Sequence, residues 1–154
     1  MEKISVKLVI SLYLMLCCAL LISCSTPNPT QKMDKIKSIS ISTFGGQLGY
    51  HRTVKITPDT LYYERGSHAN PSHDKSVKKI NAQYRLEEII SENQLMDFSK
   101  IISGKSRQPV DGTDTEVVIR TDSAETKVRN AQNDKLWHSV VVKINAIVDK
   151  EFNN

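Results

Sequence analysis

Cysteine is scarce and confined to the start of the chain: the 3 cysteines are Cys17, Cys18 and Cys24. Nothing beyond Cys24 can form a disulfide or serve as a thiolate nucleophile, so a domain built from those residues must hold together by packing alone. Long apolar runs are missing too. The longest, Leu8 to Ile22, is 15 residues with Ser11 inside it, short of the roughly 20 that cross a hydrocarbon core. No block of lysine and arginine with interleaved aromatics occurs, which removes the usual footprint of a nucleic-acid binder. The chain also lacks a GxxxxGK[ST] phosphate loop and a Gly-x-Ser-x-Gly nucleophile elbow.

What is present begins with charge order. Lys3 and Lys7 precede the apolar run, the arrangement of an export signal. The run ends in Leu21-Ile22-Ser23-Cys24, which resembles the lipobox of bacterial lipoprotein precursors: an apolar residue at −3, a small residue at −1, then the obligatory cysteine. The resemblance implies cleavage between Ser23 and Cys24, a thioether from Cys24 to diacylglycerol, and fatty acylation (palmitate) of the new amine. At about 0.8 kcal/mol per buried methylene, two or three acyl chains make a stable membrane anchor where one is marginal. An ordinary secretory signal with an incidental cysteine is the competing reading. Against it, Ser25 to Lys32 holds two prolines and no apolar residue, as expected of a tether. By the family's sorting rule, the lack of Asp after Cys24 and of an acidic cluster there implies the outer membrane, facing the periplasm.

Losing residues 1–23 would remove Lys3, Lys7 and Glu2 and bring the net charge from +4 to +3. The remaining length suits one domain with a real core. The expected organisation is a signal over 1–23, a lipidated Cys24 with tether over 24–35, and a single domain over 36–154.

Within that domain, Ile39, Ile41 and Thr43 alternate with serines, and Val54 and Ile56 alternate with Thr53, Lys55 and Thr57, predicting two half-buried strands joined through Gly45-Gly46 and Gly49. Thr57-Pro58-Asp59-Thr60 predicts a turn, so 50–65 reads as a hairpin. Residues 66–75 read as a loop and 76–80 as a lysine-rich edge strand. Over 82–102 the apolar positions change face near Ser91-Glu92-Asn93-Gln94, which has capping-box form, predicting two short helices or one kinked helix, with a second start at Ser91 and Gly104 placed to end it. Thr115–Thr121 and Glu125–Asn130 predict a second hairpin. Trp137, Val140, Val141, Ile144 and Val148 share one helical face, with His138, Asn145 and Asp149 opposite and Asn133 placed to cap.

Hairpins alternating with helices predict an α+β two-layer sandwich, an antiparallel sheet with helices on one face. The segment Ile39-Ser40-Ile41-Ser42-Thr43-Phe44-Gly45-Gly46, then Gly49-Tyr50, the Pro-Asp hairpin, a helix and the Asp111-Gly112 hairpin, resembles small lipoproteins of Bacteroidetes type over most of 36–150. That likeness implies fold and destination and brings no catalytic residue with it.

Candidate sites are few. Gly45-Gly46-x-x-Gly49 feeds a strand and not a helix N-terminus, so it reads as a strand connection. His51, His68 and His73, with Asp74, could meet as metal ligands or hydrolytic groups, but two loop histidines five apart lack the fixed geometry of a helical pair. Asp111, Asp114 and Glu116 do not have calcium-loop spacing. Depending on the register of the first hairpin, Tyr50, Arg52 and Tyr62 share its solvent face, residue types that anchor binding surfaces, though tyrosine also simply suits a strand. No catalytic residue, metal or cofactor is assigned. The expectation is a non-enzymatic envelope lipoprotein that binds the membrane through Cys24 and an envelope protein through its sheet or loops. The alternative is a small hydrolase or metal-dependent enzyme using the histidines and carboxylates.

Overall fold

The computed structural model describes residues 34–153. Strands β1 (Ile36–Gly45), β2 (Tyr50–Ile56), β3 (Thr60–Ser67) and β4 (Lys75–Ile80) come first, then helices α1 (Leu86–Ile89) and α2 (Glu92–Ser99). Strands β5 (Thr113–Thr121) and β6 (Glu125–Arg129) follow, and α3 (Lys135–Phe152) closes the chain. The strands form one antiparallel sheet in the order β4-β3-β2-β1-β5-β6. This is the predicted α+β sandwich, with the first strand at its centre.

Side chains alternate across the pleat, and in every central strand the apolar set falls on the same side. Ile39 and Ile41, Val54 and Ile56, Leu61 and Tyr63, Val117 and Ile119, and Val128 are all buried under the helices. From α3, Trp137, Val140, Ile144, Ile147, Val148 and Phe152 complete this core, with Leu86, Ile89, Ile90 and Phe98 from the α1–α2 region. The Phe152 ring stacks on Tyr63 with centroids 5.0 Å apart. Trp137 Nε1 donates to the Val128 carbonyl at 3.3 Å, so the one polar atom of the indole is satisfied where it is buried.

The β1–β2 turn needs backbone that only glycine adopts easily: Gly45, Gly46 and Gly49 have φ of 115°, 75° and 60°. The capping box at Ser91 forms as its sequence predicts, with Ser91 N–H donating to Gln94 Oε1 at 3.1 Å. Three expectations are corrected. Asp134, not Asn133, caps α3, its Oδ1 accepting from the N–H of Leu136 and of Trp137 at 2.9 Å. α2 ends at Ser99, before Gly104, whose N–H instead donates to the Arg129 carbonyl at 2.8 Å; Ile102 is consequently off the helix and 88% exposed. Asn145 does not face solvent freely, since its Oδ1 accepts from Arg52 across the sheet at 3.0 Å.

Lysines finish the helices. Lys143 Nζ donates to the carbonyls of Glu88 and Ile89 at the end of α1, at 2.8 and 3.0 Å. Lys75 Nζ donates to the Phe152 carbonyl at 3.3 Å, and Lys79 reaches both the carbonyl and the carboxylate of Glu151. Cations at helix C-termini satisfy orphan carbonyls and oppose the negative end of the dipole.

Burial on α3 gives a direct test. Ile144→Ala should cost about 2–5 kcal/mol in urea unfolding, while Val142→Ala, half exposed on the same helix, should stay within about 0.5 kcal/mol.

Candidate functional site

Because the helices occupy one face of the sheet, the other carries the polar half of every alternation. Registers across the strands set its rows. One runs Arg129, Glu116, Ser42, Thr53, Glu64, Ser76; the next runs Lys127, Val118, Ser40, Lys55, Tyr62, Lys78. The central strand thus contributes only Ser40 and Ser42 to this middle zone, between longer side chains on its flanks. Ser42 Oγ and Thr53 Oγ1 are 3.1 Å apart. The result is a shallow hydroxyl-floored trough along β1.

The same registers sort the three hairpin residues. Tyr62 lies on this open face, its hydroxyl donating to Glu64. Tyr50 and Arg52 share parity with the buried Val54 and Ile56 and so sit on the helix side, where Arg52 is held by Asn145. The expectation of a common solvent face fails for Tyr50 and Arg52, and the parity of 50, 52, 54 and 56 was the signal that opposed it. Tyr50 instead lines a hollow of about 290 Å³ with Arg65, Gly66, Ser67 and His73.

The histidines come only partly together. The His51 and His68 rings are 6.2 Å apart, and His51 Nε2 is 3.9 Å from Glu64 Oε1. Gly66 permits this, since a β-carbon there would collide with the His51 ring and the Asp74 carboxylate. Asp74 Oδ1 accepts from the Ser67 N–H at 3.1 Å, however, and His73 Nδ1 pairs with Asn70 at 3.3 Å. Among the described residues no group of three or more His, Cys, Asp or Glu is placed to hold a metal ion.

The acidic cluster resolves into structure. Asp114 has no exposed surface. Its carboxylate accepts from Ser106 Oγ at 2.6 Å, the Arg107 N–H at 2.8 Å and Asn130 Nδ2 at 2.7 Å, with Arg129 at 3.8 Å. Burial alone would raise its pKa, but these donors and the guanidinium outweigh burial and hold it below its ordinary 3.8. Arg129 also pairs with Glu116 at 3.1 Å. Asp111 takes the left-handed conformation, φ 57°, at the turn into β5 and accepts from Gln47 at 3.3 Å. Asp114 is therefore a peg that fixes the 105–107 segment, and it has no free edge for chemistry.

A hollow of about 580 Å³ lies between the chain after α2 and the start of α3. Two of its polar side chains are committed: Asp134 caps the helix, and Asn130 bonds Thr115 N–H, the Lys105 carbonyl and Asp114. A third hollow, about 480 Å³, lies on the open face between Lys55, Thr57, Thr60, Tyr62 and Lys78. Sequence reading did not single out Lys55 and Lys78, because only the register across β2, β3 and β4 brings them to either side of Tyr62.

Cys24 and Ser23, the residues of the expected anchor and cleavage site, lie outside the described residues. Among the described residues, no helix is long and apolar enough to cross a membrane. Compared with known proteins, the chain matches no family model and no curated protein.

The Asp114 peg predicts an acid-side signature. A carboxylate whose folded pKa is lowered contributes stability that is complete above its unfolded value and lost as pH falls through the folded one. Asp114→Asn should therefore destabilise the fold by about 1–3 kcal/mol near neutral pH. Chemical unfolding at stepped pH should show that difference shrinking as pH falls below 3.8.

Proposed function

We propose that the chain is a lipid-anchored protein of the bacterial cell envelope, exported by residues 1–23 and held by acyl chains on Cys24, whose folded part is a non-enzymatic binding module. Its placement is the outer membrane, facing the periplasm. The anchor rests on the lipobox Leu21-Ile22-Ser23-Cys24 and on the proline-containing polar stretch after it. The observation that carries the binding role is the sheet's uncovered face. There Ser40 and Ser42 floor a trough flanked by Glu116 and Val118 on one side and by Thr53, with Glu64 beyond it, on the other. A polar surface with a low centre and charged margins suits a protein partner's loop or extended segment, with hydroxyls able to donate or accept as the partner requires.

Two measurements test the two halves. Incorporation of a palmitate analogue in cells should disappear in Cys24→Ala; undiminished labelling would refute the anchor. In crosslinked envelopes the protein should capture a partner that a tether-only control does not, and Ser42→Arg, which fills the trough beside Glu116, should cut that capture at least about tenfold, the loss of one well-packed contact. Capture equal to the control, or unaltered by Ser42→Arg, counts against the trough.

A further inference from the structure

The open face is not uniform along its length. At the end where the chain enters β1, it turns from hydroxyls to cations with an exposed apolar residue. Lys55 and Lys78 flank Tyr62 in one cross-strand row. Among the described residues neither lysine's ammonium makes a hydrogen bond or ion pair, whereas Lys37, Lys79, Lys100 and Lys127 are each paired with a carboxylate. Adjacent strands are about 4.8 Å apart, so the two lysine side chains leave the sheet roughly two strand spacings apart, beside a hollow of about 480 Å³ lined also by Thr57 and Thr60. One pair further along, Thr60 meets Ile80, which is 85% exposed on this same face. An edge strand has no evident use for a bare isoleucine beside lysines.

We propose that this end of the sheet docks on an anionic membrane surface, with Lys55 and Lys78 against lipid phosphates, Tyr62 between them and Ile80 at the headgroup boundary. The proposal rests on the lipid-anchor reading and adds to it a second, protein-borne membrane contact. Three observations choose a membrane over a soluble partner. The chemistry is mixed, cations beside an exposed aliphatic and a tyrosine, which is how interfacial surfaces are built. Asp34 bonds Thr121 Oγ1 at 2.6 Å and also Ser123, so the chain enters the domain at the very end of the sheet that carries Thr57, Thr60 and Ile80. Asp34 then lies only ten positions beyond Cys24, a reach of at most about 35 Å when extended. Exposed Lys35 adds positive charge at this end and Asp59 opposes it, while Asp122 is neutralised by Lys37 at 2.8 Å.

Each lysine near an anionic surface contributes enough that losing two should lower the docked-to-undocked ratio about thirtyfold at low salt. The test uses the lipid-processed chain reconstituted in phosphatidylcholine vesicles with or without about one-fifth phosphatidylglycerol. Cys24 carries the lipid, so an introduced cysteine is the sole target for a thiol-reactive fluorophore: Thr60→Cys at the proposed contact, Leu48→Cys at the far end of the sheet. A lipid-phase quencher should dim the label at 60 in vesicles containing phosphatidylglycerol, much less in phosphatidylcholine alone, and not at 48. Lys55→Gln with Lys78→Gln, or high salt, should abolish the quenching at 60, while Lys105→Gln should leave it. Equal quenching at 60 and 48, no dependence on phosphatidylglycerol, or indifference to the lysine pair overturns the proposal. Flotation of the same vesicles reads the anchor separately. A chain that floats without quenching at 60 refutes docking alone; one that does not float, yet is quenched at 60 when vesicles are added, refutes the anchor alone.

Discussion

The pairing of β1 with β5 is the constraint on which the rest depends. Ile41 stands beside Val54 on one flank and Val117 on the other, so a single strand joins the three strands β4, β3 and β2 to the hairpin of β5 and β6. Without it the chain would hold two separate sheets, each with too little apolar face to cover α3. With it, Ile39, Ile41, Val117 and Ile119 form a continuous floor on which Val140, Ile144 and Val148 rest. Loop closure over most of the domain precedes any reward from that contact, which favours slow folding relative to the local hairpins. The fixed register also decides what the opposite face displays, since a one-residue slip would exchange the serines for isoleucines.

Element identity was readable wherever the cause was local. The 3.6-residue period from Trp137 to Val148 specifies α3, and the change of face near Ser91 together with its capping box marks a break that the chain makes as two short helices. Alternation identified Ile39 and Ile41 of β1 and Val54 and Ile56 of β2 as core, but missed Ile36, which is equally buried and lies ahead of a register shift in β1. Errors arose where a choice between near equals was made by tertiary context. Asn133 and Asp134 are both good caps, and the helix begins one residue later than a cap at Asn133 would place it. Gly104 resembles a helix stop, yet its N–H goes to the end of β6. Ile102 continues the apolar spacing of α2 after the helix has already ended.

The candidate surface was far less readable, for a physical reason. Lys55, Tyr62 and Lys78 come from three strands, and no spacing along the chain encodes that they lie in one row. The same holds for the Asp114 peg: Asp111, Asp114 and Glu116 look alike in sequence, but Asp114 is buried under three donors while Asp111 merely makes a turn. What separates them is the path of the 105–107 segment over the sheet. Conversely, the proposed anchor rests on a short contiguous pattern, Leu21 to Cys24, which needs no fold to be read.

The position of β1 has a mechanical consequence. Any pull on the chain ahead of Asp34 arrives along the axis of the central strand, which has hydrogen-bonded neighbours on both sides. Antiparallel ladder bonds lie perpendicular to the strands, so such a load is shared in shear by two ladders at once and does not peel one bond at a time. The Asp34 contacts with Thr121 and Ser123 lie ahead of both ladders and take the strain first. A domain loaded through its middle strand in this way is well made for staying folded under tension.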